Sequence, residues 1–181
     1  ATSQLRQHAI PEAFALLIAR LDSPLPAVQA AARAELADFN VDRVLALAEE
    51  FPIEDARRAG QLLMKVDPEA VGKLRRALAH AVVQKRVTAA RRIGRLGLAE
   101  PLLSSFATLA VDPDPIVRRT VADVVSTLEG LEPFRLLSQL VDDPHPRVRE
   151  AAAQGLERWE QALSLSQTSV TADPLLEGAD W

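Results

Sequence analysis

The sequence predicts an all-α fold, an α-solenoid of about five antiparallel two-helix repeats. The first observation behind this is the stretch Asp142–Trp159. It opens with two acids and two prolines and then sets Val148, Ala152, Leu156 and Trp159 on one helical face. The second is that the stretch recurs. Asp112-Pro113-Asp114-Pro115 leads into Val117, Val121, Val125 and Leu128, and Asp22-Ser23-Pro24-Leu25-Pro26 leads into Val28, Ala32, Leu36 and Phe39. Weaker copies run through Ala56, Gly60 and Met64 and through Lys85, Ala89, Ile93 and Leu96. The leading positions 28, 56, 85, 117 and 148 are 28 to 32 residues apart, and self-similarity at such a period marks helical repeats that bury their apolar faces against their neighbours. The third is composition. Apolar residues make up 48% of the chain and aromatic ones 4%, an aliphatic, alanine-rich core suited to close helix packing.

Taken in order, residues 3–10 read as a lead-in helix before Pro11. Pro11–Leu21 reads as the first helix of repeat one, with Phe14, Leu17, Ile18 and Leu21 inward; its second helix runs to Phe39 and stops at Asn40. Repeat two is Val41–Phe51, broken by Pro52, then Ile53–Val66. Repeat three begins at Asp67-Pro68-Glu69 as cap, first-turn proline and first-turn acid, and carries Val71, Leu74, Leu78 and Val82. It turns near His80–Gln84 and ends at Gly97. Repeat four is Leu98–Ala110, a proline-rich turn, then Pro115–Glu129 with Gly130 as the stop. Repeat five is Leu131–Val141, then Pro146 to about Leu163. The expected domain organisation is a repeat array over 1–163 and an acidic, disordered tail over 164–181, unusual in carrying Leu175, Leu176 and Trp181.

The turn with Asp and Pro, the following Val-Arg, and the small or apolar residues four and eight positions on resemble HEAT repeats, more narrowly the short bacterial subclass named after the phycobilisome lyases. Val148-Arg149 with Ala152 and Leu156 matches best, and Val117-Arg118 with Val121 and Val125 follows. Val28-Gln29 keeps the apolar part and loses the arginine, Ala56-Arg57 lacks the turn, and Lys85-Arg86 has lysine at the buried position. The resemblance covers roughly residues 10–163 and implies a binding scaffold rather than an enzyme. It also implies a structural ladder of Arg57, Arg86, Arg118 and Arg149 with turn carboxylates, Asp112 or Asp114 pairing with Arg118 and Asp142 or Asp143 with Arg149.

Nothing in the sequence points to catalysis. There is no cysteine, no phosphate loop and no Gly-x-Ser-x-Gly elbow, and Ser104-Ser105 precede no glycine-rich turn. His8, His80 and His145 lie far apart without ligand spacing and read as surface residues, so no metal and no cofactor is expected. Glu49-Glu50 reads as a solvated helix end and Asp142-Asp143 as a turn cap. No signal peptide or apolar span is evident, and a cytoplasmic location is expected. The first residue is alanine, so the chain is expected to be processed or cut from a larger one.

Net charge is −4, unevenly spread: −3 over residues 1–52, +7 over 53–97 and −8 over 98–181. The basic middle reads either as a solvated charged face or as a partner surface for an acidic protein segment on the concave face, made of Arg58, Lys65, Lys73, Arg75, Arg76, Arg91, Arg92, Arg95 and Arg119. Nucleic acid, in the manner of the HEAT-like DNA glycosylases, is an alternative that overall charge and the lack of stacking aromatics disfavour. A bilin lyase or its chaperone is a further alternative, suggested by the family name alone. The tail offers a route to self-association by docking its acids and apolar anchors in a basic groove.

Overall fold

The computed structural model describes residues 20–36 and 39–170, the side chains only as far as Ser164. The expected helices over 3–10 and 11–19 lie outside the described residues, as does the tail from 171 on. The chain divides into two compact units, Ala1–Leu102 and Leu103–Trp181. The first holds α1 (Pro26–Glu35), α2 (Val41–Leu47), α3 (Ile53–Val66), α4 (Ala70–Leu78), α5 (Val83–Arg95) and a 3-10 turn, Glu100–Leu102. The second holds α6 (Leu103–Leu109), α7 (Pro115–Val125), α8 (Leu131–Leu140) and α9 (Pro146–Val170). There is no strand among the described residues, and the fold class is the one expected, all-α and of the solenoid type.

In the first unit Leu21, Ala32, Leu36 and Val66 form one buried cluster, with Phe39 and Leu62 against it. Leu63, Leu74, Leu78, Val87, Ala90, Ile93 and Leu96 are among the other buried residues of its core. In the second unit α7 packs chiefly on α9, and α8 packs on both. Phe106, Val117, Val121, Val125, Leu137, Val148 and Ala152 are fully or almost fully buried there. The repeat register read from the sequence holds four residues after each leading position, where Ala32, Gly60, Ala89, Val121 and Ala152 are all buried. At the leading position Lys85 departs from it, exposed where Val117 and Val148 are buried, and eight residues on from Ala56 the Met64 side chain is only half-buried. Leu156, read as core, is half-buried.

Local chemistry sets the helix ends, and several differ from the sequence reading. Asn40, expected to stop a helix, instead starts α2, accepting the Arg43 N–H at 3.1 Å on Oδ1. α1 ends earlier, at Glu35, and α2 at Leu47 rather than Phe51. Asp67 does not open the helix at Pro68. It accepts the Glu69 N–H at 2.9 Å, and α4 starts two residues later, at Ala70, burying Ala70, Leu74 and Leu78 while Val71 is only partly covered. Pro101 falls in the 3-10 turn, which delays α6 to Leu103. Gly130, expected as a stop for α7, has φ +108° and leads into α8, whereas α7 ends at Val125. α9 runs on to Val170, past the Leu163 where the array was expected to stop.

α5 closes as expected at Gly97. With φ +68°, Gly97 lets its own N–H reach the Gly94 carbonyl and the Leu98 N–H reach the Ile93 carbonyl, both at 3.0 Å, in a Schellman arrangement. That turn is also why position 60 is glycine. A β-carbon there would stand 2.1 Å from the Leu96 carbonyl oxygen. Gly60→Ala should therefore destabilise by about 2 kcal/mol or more, because forced overpacking outweighs the roughly 1 kcal/mol that alanine adds in helix propensity. Denaturant melts read this directly, and a more stable variant would show that α3 does not meet the Leu96 turn closely.

Candidate functional site

The turns between paired helices share one hydrogen-bonding device. A side-chain acceptor takes the N–H two residues on, and a donor six residues on returns to the first residue's carbonyl. At the first turn the Ser23 Oγ accepts from the Leu25 N–H at 3.2 Å, and the Gln29 amide donates to the Ser23 carbonyl at 2.8 Å. At the third, His80 Nδ1 accepts from the Val82 N–H at 2.9 Å, and Arg86 Nη1 donates to the carbonyls of His80 and Ala81, each at 2.9 Å. Asp112 and Asp143 accept in the same way from Asp114 and His145, at 2.9 and 2.8 Å. Arg118 Nη1 then holds the carbonyls of Asp112 and Pro113 at 2.7 and 3.1 Å, and Arg149 Nη1 those of Asp143 and Pro144 at 2.8 and 3.0 Å. A turn exposes carbonyls that lack helical partners, and an arginine fork satisfies two at once.

The second turn departs from the pattern. Phe51 offers no side-chain acceptor. Its carbonyl and that of Ala48 (2.7 Å) are taken instead by Arg95, reaching across from the end of α5. Arg57, placed in the ladder by sequence, is exposed and only 3.9 Å from Glu54 on its own helix.

The ladder also connects differently from the expectation. Arg118 Nε and Nη2 grip Asp143, in the turn of the following repeat, at 2.6 and 2.9 Å. Both side chains are nearly covered, 12% and 5% exposed. Asp114 caps α7 by accepting the Ile116 N–H at 2.7 Å. Asp142, a ladder candidate, is exposed, and it is Asp143 whose carbonyl Arg149 holds. The correction has a simple cause. An arginine whose Nη1 points back to its own turn carbonyls presents its other edge to the next turn. The hydrogen bonds from Arg118, helped by the His145 N–H, hold the Asp143 carboxyl below the usual carboxylate range despite its burial, and the carboxylate in turn raises Arg118.

The basic residues fall into two groups. Arg58 is 3.4 Å from Asp55, Lys65 3.0 Å from Asp22, Arg92 3.4 Å from Glu49 and Arg119 3.9 Å from Asp123. Lys73 is 2.7 Å from Asp67, whose hydrogen bond raises its pKa. Arg95 is committed to the second turn. Arg75, Arg76 and Arg91 are exposed and carry no acidic partner among the described residues. Lys85, left out of the sequence-based patch because it was assigned to a buried position, is exposed and likewise has no acidic partner among the described residues. Arg75 and Arg76 end α4 and Lys85 opens α5, so the four-residue turn between the helices brings these three cations to one end of the pair. Elsewhere in the first unit a groove of about 410 Å³ is lined by Phe39, Ala59 and Leu62 with Asp55, Arg58 and Lys65.

His8 lies outside the described residues. His80 and His145 are turn acceptors, His145 Nδ1 taking the Arg147 N–H at 3.3 Å. Among the described residues no group of three or more His, Cys, Asp or Glu is placed to hold a metal ion, and no helix is long and apolar enough to cross a membrane.

A family model of HEAT repeats matches residues 71–157, from α4 into α9. This stretch, which contains three of the turn devices, is similar in sequence and architecture to HEAT-repeat proteins. No curated protein matches the chain.

Arg118→Ala should cost roughly 3–5 kcal/mol, the range for stranding one member of a buried pair. Arg149→Ala, exposed and with no carboxylate partner among the described residues, should cost about 1.5 kcal/mol. Equal losses in urea melts would contradict the difference in burial. Because Asp143 is held below the usual value near 3.9, its stabilising contribution is complete above that pH and is lost as pH falls through the lower, folded value. Asp143→Asn should therefore flatten the stability profile below about pH 4, measured by melts at stepped pH.

Proposed function

We propose that the chain is a non-enzymatic protein-interaction scaffold that takes an acidic partner segment on its first unit. HEAT repeats commonly serve as such scaffolds. The observation that carries the reading is the local excess of charge. Residues 53–97 carry +7, and after internal pairing Arg75, Arg76, Lys85 and Arg91 have no acidic partner among the described residues. Unpaired exposed cations keep their full attraction for an incoming carboxylate, whereas Arg92, Lys73 and Lys65 would first have to leave one. The groove beside Arg58 and Lys65 adds apolar surface that could seat a side chain from the same partner. The sparse aromatics of the sequence favour an acidic peptide over nucleic acid, which gains from stacking.

A fluorescent octaglutamate peptide serves as probe, with a single-stranded oligonucleotide as competitor. The full chain should bind the peptide at low salt, and binding should weaken as ionic strength rises. Arg75→Glu with Arg76→Glu and Lys85→Glu should weaken it at least tenfold, with melting unchanged because all three side chains are exposed. Tighter binding of the oligonucleotide, or peptide binding indifferent to the three reversals, would overturn the reading.

A further inference from the structure

The last turn device is only half used. Arg149 staples its own turn through Nη1, as Arg118 does, but among the described residues nothing accepts from its Nε or Nη2. At Arg118 that edge holds Asp143. The surface behind it repeats as well. Four and seven residues after Arg118 stand Ala122 and Val125, both fully buried. Four and seven residues after Arg149 stand Ala153, exposed, and Leu156, half-buried. The face of α9 that carries Arg149, Ala153 and Leu156 thus has the form of a repeat-stacking face with no repeat on it among the described residues.

We infer that this face is a docking site for a partner protein that presents a helical hairpin with an aspartate in its inter-helix turn. The pair inside the second unit supplies the template. A carboxylate would meet Nε and Nη2 of Arg149 bidentately, and a small apolar helix face would cover Ala153 and Leu156. Bidentate geometry favours a carboxylate held in a fixed turn over a mobile one. A second copy of this chain fits less well. Its first three turns have Ser23, Phe51 and His80 where Asp143 stands, and its Asp112 and Asp143 are both buried within its own fold. The site is distinct from the basic surface of the first unit and does not rest on it.

The probe is a synthetic peptide of residues 131–164, the hairpin whose Asp143 fills the equivalent site at Arg118. It should bind the full chain by calorimetry. The same peptide with Asp143→Asn should bind at least tenfold more weakly. Ala153→Glu in the full chain places a negative charge on the exposed shelf without touching the turn; it should weaken binding by a similar factor with melting unchanged. Arg149→Lys, which keeps charge but loses the fork, should also weaken it. The inference is overturned if the wild-type chain does not bind the peptide or if the Asp143→Asn peptide and the Ala153→Glu chain bind as well as wild type. It is also overturned if only a chain ending at Val170 binds, which would make residues 171–181 the occupant. Concentration-dependent self-association abolished by Ala153→Glu would make a second copy the occupant.

Discussion

The structure of the second unit depends on one guanidinium. Arg118 is bound on one side to two carbonyls of its own turn and on the other to the carboxylate of the next. Each bond alone would be ordinary. Together they fix the turn, the rotamer of the arginine and the position of the following repeat with one planar group, which a lysine's point charge could not do. Burying the pair is costly, and its four hydrogen bonds offset that cost by leaving little of either group unsatisfied. The apolar packing of α7 on α9 supplies most of the stabilisation, as in any such core, but packing is non-directional. The ion pair is what makes one register of the two turns better than its neighbours.

The repeats were legible because their signal is local. Spacing of four, four and three along one helix can be read from a single stretch, and five copies confirm one another. What each arginine holds was not legible, since Asp143 lies 25 residues from Arg118, in the turn of another repeat. The turn device was hidden for a different reason. It is defined by function, a side-chain acceptor two residues before an N–H, and Ser23, His80, Asp112 and Asp143 meet it with three kinds of residue. His80 looked like a surface histidine because the sequence comparison matched letters. A search for any short-range acceptor six residues before Gln or Arg would have found all four turns. Asn40 and Gly130 were misjudged because both residue types serve at either end of a helix, and only the backbone around them decides.

The basic region shows the same limit. Counting charges located the +7 segment correctly, yet a count does not say which cations are already bound. Arg95 and Arg92 belong to the interior economy of the first unit, holding the end of α2 and Glu49. Lys85 was set aside because its letter fell on a buried column, when the departure from the pattern was itself the signal. A lysine at a position that is Val or Ala in its sister repeats is either a packing fault or an exposed group, and the exposed first turn of α5 makes it the latter.

The four turn devices also differ in strength along the chain. Ser23 and Gln29 are neutral, so that turn is closed by hydrogen bonds without charge. At His80 and Arg86 the donor is charged and the acceptor is an imidazole. At Asp112 and Asp143 both are charged, and charge-assisted bonds are about twice as strong as neutral ones. A neutral glutamine can close its own turn but cannot hold a carboxylate from another. Closing a turn and joining to a neighbour are therefore separable properties, and Arg118 has both. The best matches to the repeat pattern, Val117-Arg118 and Val148-Arg149, are also the copies with an acid in the turn. The consensus that makes a repeat recognisable is the chemistry that lets it be joined to the next.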